Sequence, residues 1–437
     1  MTKRLREIAG PSDLRQLHRE NPSRYPFLLQ STTPGGELGR YDILFAFPGE
    51  ALVARPGESF LNSLDERWQA ERQDAPTSEL PFTGGWFLYL GYELAQQIEP
   101  GLELESDPIL PAAFAVRCPT ALIYNHEDEQ CHLVYETPDC TNNEQLLADI
   151  GALDRNAHAA ESTVVSVQEQ EPSDFTNAVV RAKAYIEAGD VYQANLSREW
   201  HAEVTAGLDA SDVYEALCAS NPGPFAGMAR WQDAEIISSS PERLIRIRDG
   251  VASTRPIAGT RPRSTDSDAD DDLSAELFAH PKERAEHVML IDLERNDLGR
   301  VCKAGTVEVT EMMVLESYAH VHHIVSNVQG QLAEHVTPGQ AIAAVFPGGT
   351  ITGCPKVRCM EIISELEEGP RGAYTGSFGY LNRDGSLDLN ILIRTIVKED
   401  RQVTFRAGSG IVADSDPGAE LEETRAKAKG MLRAIGR

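Results

Sequence analysis

Two pairs of glutamates have the spacing that places carboxylates on one face of a helix. Glu283 and Glu286 occur in PKERAEH, and Glu420 and Glu423 occur in AELEETRAK, with Lys427 four residues further on. Residues three or four apart are neighbours on a helix surface. If the two faces met, they would form a four-carboxylate pocket of the kind that suits Mg²⁺ with room for water. Exposed, solvated helices carry the same pattern, so the spacing alone leaves both interpretations open.

Three histidines occur close together in YAHVHHIVSNVQG (318–330). On a strand, alternation would place His320 and His322 on one face and His323 on the other. Zinc binding is one interpretation, but no cysteine or carboxylate has a matching spacing. Ordinary strand histidines are favoured, with one of them available as an acid, a base or a hydrogen-bond donor.

Two glycine-rich stretches indicate sites where backbone N–H groups could meet an anion. FPGGTITGCPK (346–356) has two glycines at phosphate-loop spacing, but Cys354 and Pro355 stand where that loop requires lysine and serine or threonine,. A phosphate loop is therefore rejected. A glycine-rich turn that enters a helix can still bind a carboxylate, and RAGSGIVADS (406–415) offers a second such turn.

An inert residue lies in the polar stretch TRPIAGTRPR (254–263). The Asp-Gly pair at 249–250 predicts a two-residue hairpin, whose register places Glu242 opposite Ile257 and beside Ala258. Prolines on both strands predict that the hydrogen-bond ladder of the hairpin breaks there. The face of the sheet to which each side chain points is therefore left open.

Composition excludes several functional classes for this chain of 437 residues. It has 40 Lys+Arg against 68 Asp+Glu, a formal net charge of −28. Such a charge repels nucleic acids and anionic membrane surfaces, although local arginines or a metal ion can still attract a small anion within a cleft. We find no signal peptide, no apolar run of the roughly 20 residues that a membrane span needs, and no C-x-x-C pair among seven cysteines. A cytoplasmic protein with reduced thiols is predicted.

The distribution of short apolar runs predicts three parts. Residues 1–150 form one region, with strands at 41–47, 84–92 and 120–125. Residues 151–172 form a polar linker, and 173–437 form a larger catalytic region. The mixture of elements, without strict βαβ alternation, favours an α+β fold with large antiparallel sheets.

The larger region shows alternating helical and strand patterns. We expect a first helix capped by Ser173 and ended by Gly189, and a charged stretch at 264–276 that forms a solvated loop. The remaining predicted elements are strands at 191–204, 235–260, 319–329, 374–381, 388–398 and 402–407, and helices at 281–297, 355–366 and 417–435.

These segments together resemble the chorismate-utilising enzymes. That family includes the large subunits (component I) of anthranilate synthase and aminodeoxychorismate synthase, as well as isochorismate and salicylate synthases. The resemblance covers residues 173–437 and extends more weakly to LLQS (28–31) and GGWFLYLGYE (84–93). The motifs that carry it are SPERL (240–244), PIAGTRPR (256–263), ERAEHVMLIDLERNDLGR (283–300), HHIVSNVQG (322–330), GGTITGCPKVR (348–358), GAYTGSFGY (372–380), ILIRT (391–395), AGSGIV (407–412) and EETRAKAK (422–429).

The resemblance implies a two-lobed α+β structure, with large antiparallel sheets stacked around a central cleft and helices outside. It also implies an Mg²⁺ ion that binds the ring carboxylate of chorismate. Glu286 and Glu423 would hold the ion. Glu283 and Glu420 would lie in the same shell, directly or through water.

The resemblance further assigns roles around the substrate. Glu242 would be the acid that protonates the leaving C4 hydroxyl, and His323 would lie near the departing or developing charge. The other implied contacts are Tyr374 and Arg394, with the backbone at Gly408, Ser409 and Gly410, for the enolpyruvyl carboxylate, and Thr350 and Lys427 for the ring end.

Three features bear on which member of the family the chain resembles. Family members that use water carry a lysine base where this chain has Gln193, which favours ammonia as the nucleophile. The stretches 346–356 and 387–395 look more like aminodeoxychorismate synthase, which favours amination at C4 for 4-aminobenzoate and folate biosynthesis. Against this, aminodeoxychorismate synthases often carry a nucleophilic lysine where this chain has Ala258, as anthranilate synthase does.

Two alternatives and one partner follow from the same resemblance. The first alternative is the anthranilate synthase large subunit, which aminates C2 and releases pyruvate. The second is a catalytically inactive chorismate-binding scaffold. None of the seven cysteines has glycine on both sides, so a separate glutaminase subunit is expected to supply ammonia. Anthranilate synthases hold a feedback tryptophan site near the position of LLQS. One short motif leaves open whether this chain binds tryptophan.

Overall fold

The computed structural model describes residues 5–8, 10–32, 37–74, 79–136, 140–153, 164–263, 270, 275, 281–317 and 321–436. At residues 5, 6, 37, 140, 258, 260–262, 281–283 and 321, only the backbone is described. Over this part of the chain, helices and strands alternate irregularly. The helices are α1 Arg15–Glu20, α2 Phe60–Glu71, α3 Ala95–Ile98, α4 Cys140–Ala152, α5 Pro172–Glu187, α6 Ala210–Ser220, α7 Pro281–Gly299, α8 Pro338–Val345, α9 Lys356–Leu366 and α10 Pro417–Ala434.

The described strands form two large antiparallel sheets. The first sheet has the order β1-β8-β7-β3-β2-β11-β12-β21-β22-β10-β18, with β9 also paired to β10. Its strands are β1 Leu5–Ile8, β2 Phe27–Gln30, β3 Tyr41–Ala46, β7 Thr120–Asn125, β8 Gln130–Tyr135, β9 Val164–Glu169, β10 Gln193–Val204, β11 Phe225–Trp231, β12 Ala234–Ser240, β18 Gly353–Cys354, β21 Thr395–Glu399 and β22 Gln402–Ile411.

The second sheet has the order β15-β17-β14-β13-β20-β19-β5-β6-β4, with β16 also paired to β17. Its strands are β4 Ala51–Val53, β5 Gly85–Leu90, β6 Ala113–Cys118, β13 Arg243–Arg248, β14 Val251–Arg255, β15 Ile257–Pro262, β16 Glu308–Ser317, β17 Val321–Gln331, β19 Ser377–Asn382 and β20 Leu387–Asn390. The α+β prediction with large antiparallel sheets is confirmed.

The two sheets stack face to face, with helices on their outer faces. Phe27 of β2 and Phe87 of β5 lie between the sheets, with their rings parallel and 4.1 Å apart. The neighbouring Leu28 and Leu88 point the opposite way, into the helix layers. Both faces of each sheet are therefore buried. For this reason the strand sequences are continuous apolar runs and do not alternate between apolar and polar residues.

Strands from both predicted regions of the sequence pair within each sheet. In the first sheet, Leu28 of β2 pairs with Met228 of β11. In the second, Leu88 of β5 pairs with Gly379 of β19. The boundary near residue 150 remains a prediction. Both regions contribute strands to the same two sheets. The predicted linker contains strand β9, which pairs with β10.

Two of the places where the chain crosses from one sheet to the other are adjacent, and these two crossings carry predicted site residues. Glu242 lies between β12 and β13, and Arg394 lies between β20 and β21. The crossings run antiparallel: Ile391 donates a backbone hydrogen bond to Glu242 at 3.0 Å, and Ser239 donates one to Arg394 at 3.2 Å. The sheets are therefore joined where the predicted chemistry is located.

Several predicted element boundaries were wrong for local reasons. The strand predicted at 388–398 is two strands in different sheets, because Arg394 adopts a left-handed φ of 54°. The strand predicted from residue 374 begins at Ser377, so Tyr374 lies in the preceding turn. Helix α5 begins at Pro172 after Glu171, so Ser173 is inside the helix and is not its cap. Gly189 follows the helix end with φ of +83°, as predicted,.

Candidate active site

Glu242 lies at the sheet crossing with its carboxyl group buried. The residue is 5% exposed, and its Oε1 has no hydrogen-bond partner among the described residues. Desolvation raises its pKa to about 7, against smaller lowering effects of the Thr350 hydroxyl and the Ile257 backbone N–H,. At neutral pH about half of these carboxyl groups carry a proton. Glu242 can therefore act as a general acid.

The hairpin that places Ile257 beside Glu242 follows the predicted Asp-Gly turn. Asp249 and Gly250 have φ values of 52° and 74°, and Arg248 pairs with Val251 across the turn. A register shift then occurs between Arg243 and Arg246. The Ile257 backbone N–H does lie beside the Glu242 carboxyl group, as predicted, but the register shift means that the two residues are not directly opposite in the hairpin.

A short 3-10 turn, Gly349–Ile351, supplies Thr350 to this side of the cleft. The Thr350 hydroxyl oxygen is buried and has no hydrogen-bond partner among the described side chains. The turn packs closely on α7, because a Cβ atom on Gly349 would lie 2.4 Å from Leu293. Glycine at this position lets Thr350 approach Glu242.

A second buried carboxyl group, Glu294, lies behind this turn and was missed by the sequence analysis. A Cβ on Gly349 would lie 3.5 Å from its Oε1. Desolvation, and then the charge of Asp297, raise the pKa of Glu294 to about 8, with a smaller raising effect from Glu242. Lys356 pairs with Asp297 at 2.5 Å. The i, i+3 spacing of Glu294 and Asp297 on α7 was the available sequence signal.

Tyr374 and Arg394 lie together on the other side of the cleft. Tyr374 is buried, and a Cβ atom on Gly408 would come within 2.7 Å of its hydroxyl. Burial lowers the pKa of the Arg394 guanidinium, while Tyr374 and Glu423 act in the opposite direction. Within the described part of the chain, the Arg394 guanidinium donates no hydrogen bond. A desolvated cation of this kind is a binding group for a carboxylate.

The paired strands β10 and β22 form the floor between these groups. Asn195 pairs with Gly410, and Leu196 pairs with Ser409. Gln193 lies against Gly410, where a Cβ atom would be 2.2 Å from its Nε2. Ser409 pairs with Leu196, so its side chain points to the opposite face of the sheet from Gln193 and Asn195,. On the face of Gln193 and Asn195, two polar oxygens are buried without a hydrogen-bond partner among the described residues: Gln193 Oε1 and Asn195 Oδ1. Orphaned buried polar atoms are costly, and a polar ligand would satisfy them.

Lys427 connects this floor to helix α10. Its ammonium group donates to the Gly408 carbonyl at 2.9 Å and pairs with Glu423 at 2.7 Å. The predicted face of α10 therefore lies beside the glycine-rich strand. Glu420, in the first turn of the helix, is half-buried.

His323 lies on β17 and faces the Arg394 side of the cleft. Desolvation lowers its pKa to about 4, and the positive charge of Arg394 adds to the lowering. A hydrogen bond with the backbone of Gly259 opposes the effect. His323 is therefore neutral at physiological pH and suits hydrogen bonding better than charge stabilisation. The backbone of Ala258 pairs with Ile324, and its side chain lies outside the described part.

The other features singled out near His323 are partly outside the described residues. His320 is not described. His322 lies between Ser317 and Asp270, at 2.8 and 3.0 Å. Asp270 belongs to the charged stretch predicted as a solvated loop, yet it is buried and also pairs with Arg263 at 2.7 Å. For Asp270 the prediction of solvation was wrong, because His322 and Arg263 compensate its burial.

The predicted metal ligands are only partly described. The Glu283 side chain lies outside the described part, Glu286 is half-buried on α7, and Glu423 is exposed on α10. Among the described side chains, no cluster of three metal-ligating groups occurs. Mg²⁺ needs only one or two protein carboxylates and keeps several waters. Glu286 and Glu423 are carboxylates of the type that a hydrated Mg²⁺ ion binds.

A cavity of about 450 Å³ lies between the sheets, lined in part by Leu29 and Gln30 of the LLQS stretch. The Gln30 amide donates to Asp42 at 2.7 Å, and Arg243, also in the wall, is paired with Asp388. These polar groups of the wall already have protein partners, unlike the orphaned oxygens beside Gly410.

Comparisons with known proteins agree with this architecture. The chain is 41% identical to an anthranilate synthase component I-like protein of Synechocystis sp., covering 93% of this chain and 86% of that one. It is 36% identical to aminodeoxychorismate synthase component 1 of Bacillus subtilis, covering 97% and 94%. The crystal structure of anthranilate synthase component I from Streptococcus pneumoniae TIGR4 superposes with a TM-score of 0.82 at 31% identity, covering 91% and 93%.

A family model described as chorismate binding enzyme matches residues 15–433, which is nearly the whole chain. No helix in the described ranges has the length and apolarity to cross a membrane. The matched span includes both sheet crossings and every element that carries a candidate side chain. The chain belongs to the chorismate binding enzyme family, and it is a chorismate-utilising synthase of the anthranilate synthase and aminodeoxychorismate synthase type.

Proposed function

We propose that the protein is the synthase component of 4-amino-4-deoxychorismate synthase. In this reaction ammonia attacks C4 of chorismate, the C4–O bond breaks and the hydroxyl group leaves as water. Glu242 donates the proton to the departing hydroxyl, and a proton lost by the new ammonium group restores the acid. The product would serve 4-aminobenzoate and folate biosynthesis.

The observation that carries the proposal is the position of Gln193. An amide cannot remove a proton from water, so this position offers no general base. Ammonia needs none, because its lone pair is nucleophilic without deprotonation. The buried Oε1 of Gln193 lacks a partner among the described residues, and a hydrogen-bond acceptor of this kind suits an ammonia molecule. This combination favours amination over hydration.

The opposite wall of the cleft suits the carboxylate of the enolpyruvyl group. Arg394 supplies a desolvated positive charge, Tyr374 a hydroxyl group, and the strand around Gly408 close backbone access. Glycine is required there because a Cβ would lie 2.6 Å from the Leu196 carbonyl. Thr350 and Lys427 would contact the ring end. His323, neutral at physiological pH, would donate or accept a hydrogen bond near the departing group.

Glu286 and Glu423 would hold Mg²⁺, with Glu283 and Glu420 in the same shell. When bound, the ion supplies positive charge that neutralises and orients the ring carboxylate of the substrate. Without it, Glu423 pairs with Lys427. The Lys427 ammonium group also donates to the Gly408 carbonyl, so the pair places the Glu423 carboxylate near the glycine-rich strand.

A separate glutaminase subunit would supply the ammonia, and the assembly would be cytoplasmic. The relatives are named component I or component 1, which supports a second component. The described cysteines Cys118, Cys131, Cys218, Cys302, Cys354 and Cys359 form no disulfides.

Anthranilate synthase is the second candidate, and Ala258 is the observation that favours it. Alanine cannot form the covalent adduct that a lysine forms at this position in aminodeoxychorismate synthases. Relatives named anthranilate synthase component 1 also match, including one from Acetivibrio thermocellus at 38% identity. If C4 is the site of amination, ammonia must attack it directly, and mass spectrometry of a trapped reaction should show no adduct at residues 254–263.

Product identity tests the proposal. The purified protein is incubated with chorismate, Mg²⁺ and ammonium, and the mixture is divided between two assays. We expect 4-aminobenzoate only after an aminodeoxychorismate lyase is added. Fluorescent anthranilate and pyruvate without the lyase would establish the second candidate instead. Glu242→Gln is the matched control, because it should abolish either product.

A further inference from the structure

Arg371 is a buried arginine that none of the motifs above includes. It is 4% exposed, and its guanidinium uses all of its donor positions. Nε and Nη2 pair with the two carboxylate oxygens of Glu367 at 2.9 and 2.5 Å. Nη2 also donates to the Asn195 carbonyl at 2.7 Å, and Nη1 donates to the Ile351 carbonyl and the Thr375 hydroxyl, each at 3.3 Å.

The three segments bonded by Arg371 all carry candidate site residues. Ile351 follows Thr350 in the 3-10 turn, and Asn195 lies two residues after Gln193 on β10. Thr375 follows Tyr374, whose ring lies 5.6 Å from the Arg371 guanidinium. One planar group therefore fixes the acid side, the nucleophile side and the carboxylate side of the cleft relative to each other.

The charge of Arg371 is balanced within the protein and is not available to a substrate. Glu367 neutralises it and also accepts from Arg406 at 3.2 Å. Arg406 otherwise donates to the Ser197 hydroxyl at 3.1 Å and the Pro370 carbonyl at 3.4 Å. Arg406 shares the same counter-ion but bonds neither Asn195, Ile351 nor Thr375.

We propose that Arg371 is a positioning residue that sets the spacing between the Thr350 turn, the Gln193 strand and the Tyr374 turn. This inference rests on the proposed function, because it assumes that these segments hold chorismate and ammonia. A guanidinium is needed because its rigid fork reaches three carbonyl or hydroxyl groups and a bidentate carboxylate at once. A lysine ammonium has three donors and no fixed plane.

The test compares Arg371→Lys with Arg406→Lys. Both variants keep a positive charge beside Glu367, and we expect similar falls in their unfolding midpoints. We expect kcat/KM for chorismate to fall by about 100-fold in Arg371→Lys, since a displacement near 1 Å is enough for that loss. In Arg406→Lys the fall should stay below about 5-fold. Equal falls in the two variants would overturn the positioning role.

A second pair of variants keeps the proposal testable if Arg371→Lys does not fold. Thr375→Val removes the hydroxyl that accepts from Arg371, and Thr375→Ser keeps it. We expect Thr375→Val to lower kcat by several-fold through displacement of the Tyr374 turn, with recovery in Thr375→Ser. If both variants keep wild-type kcat, the proposal is wrong.

Wild-type turnover separates the two hypotheses. If the wild-type protein does not consume chorismate with Mg²⁺ and ammonium, the proposed function fails. The role of Arg371 is then judged on chorismate binding measured by calorimetry. We expect Arg371→Lys to bind about tenfold more weakly than Arg406→Lys, a difference of about 1.4 kcal/mol; equal affinities would overturn the inference.

Discussion

Glu242 and Glu367 are both buried glutamates, and their surroundings give them opposite properties. Glu242 has an oxygen without a partner among the described residues, and desolvation raises its pKa to about 7. The Glu367 side chain is 4% exposed, but Arg371, Arg406 and the backbone N–H of Ser197 bind it. These partners outweigh desolvation and lower its pKa.

The comparison separates a carboxylate that holds the fold from a carboxyl group that is available for chemistry. Burial alone would raise the pKa of both. Donors decide the outcome, because a carboxylate that accepts several charge-assisted hydrogen bonds remains ionised in the interior. Glu242 has mainly a backbone N–H and a neutral hydroxyl nearby, so its proton remains available for transfer.

Substitution of the proposed acid should have the largest effect. Glu242→Gln keeps the shape of the side chain but removes the transferable proton, so we expect kcat to fall by about 10²–10⁴-fold. Activity of the wild-type protein should decline as the pH rises above about 7, because Glu242 then loses its proton. Steady-state kinetics between pH 6 and 9 measure both. Unchanged kcat in the variant would contradict the assignment.

Substitution of the structural carboxylate should instead reduce stability. Glu367→Ala leaves Arg371 and Arg406 buried without their shared counter-ion, and we expect a loss of about 3–5 kcal/mol in the free energy of unfolding. Urea denaturation measures it. Glu365→Ala is the matched control two residues earlier, in the last turn of α9: its side chain is 43% exposed and paired with Arg181, and the substitution should cost at most about 1 kcal/mol. Equal losses in the free energy of unfolding of the two variants would show that Glu367 does not stabilise the fold as the counter-ion of the two arginines.

The sequence predicted the elements better than the connections between them. Helices α7 and α10 and the hairpin at Asp249 were identified because periodicity and turn chemistry are local. The break at Arg394 was missed because its left-handed backbone has no glycine or proline to signal it. The crossing of Arg394 into the other sheet depends on pairing with β12, which lies more than 150 residues earlier.

The candidate site was likewise predicted only in part from the sequence. Resemblance supplied Glu242, Tyr374 and Arg394, and the structure places Tyr374 and Arg394 together and Glu242 beside Thr350. The i, i+4 spacing of Glu367 and Arg371 was visible in the sequence, but it is common on exposed helices. Their burial depends on Arg406 and on Tyr92, whose ring lies 4.8 Å from Arg371, so only the tertiary structure identifies the network.

The buried acid should also lower stability above neutral pH. The folded-state pKa of Glu242, about 7, lies above its unfolded value, so its contribution is complete at low pH and is lost as the pH rises towards 7. At pH 8 the Glu242→Gln variant should be more stable than wild type by up to about 3 kcal/mol. At pH 4 the difference should disappear. Thermal unfolding at both pH values measures it, and a Gln variant no more stable at pH 8 would contradict the raised pKa.

The structural carboxylate should respond in the opposite pH range, with a smaller effect. The folded-state pKa of Glu367 lies below its unfolded value, so its contribution is present at neutral pH and is lost as the pH falls through the folded-state pKa. Wild type should therefore lose stability between about pH 5 and pH 2 more steeply than Glu367→Gln. Glu242→Gln should follow wild type below pH 4, because Glu242 is then protonated in both states. Urea titrations of the three proteins at several acidic pH values test this contrast. Parallel curves for wild type and Glu367→Gln would mean that the two arginines do not hold Glu367 ionised, and the distinction between the two glutamates would not hold.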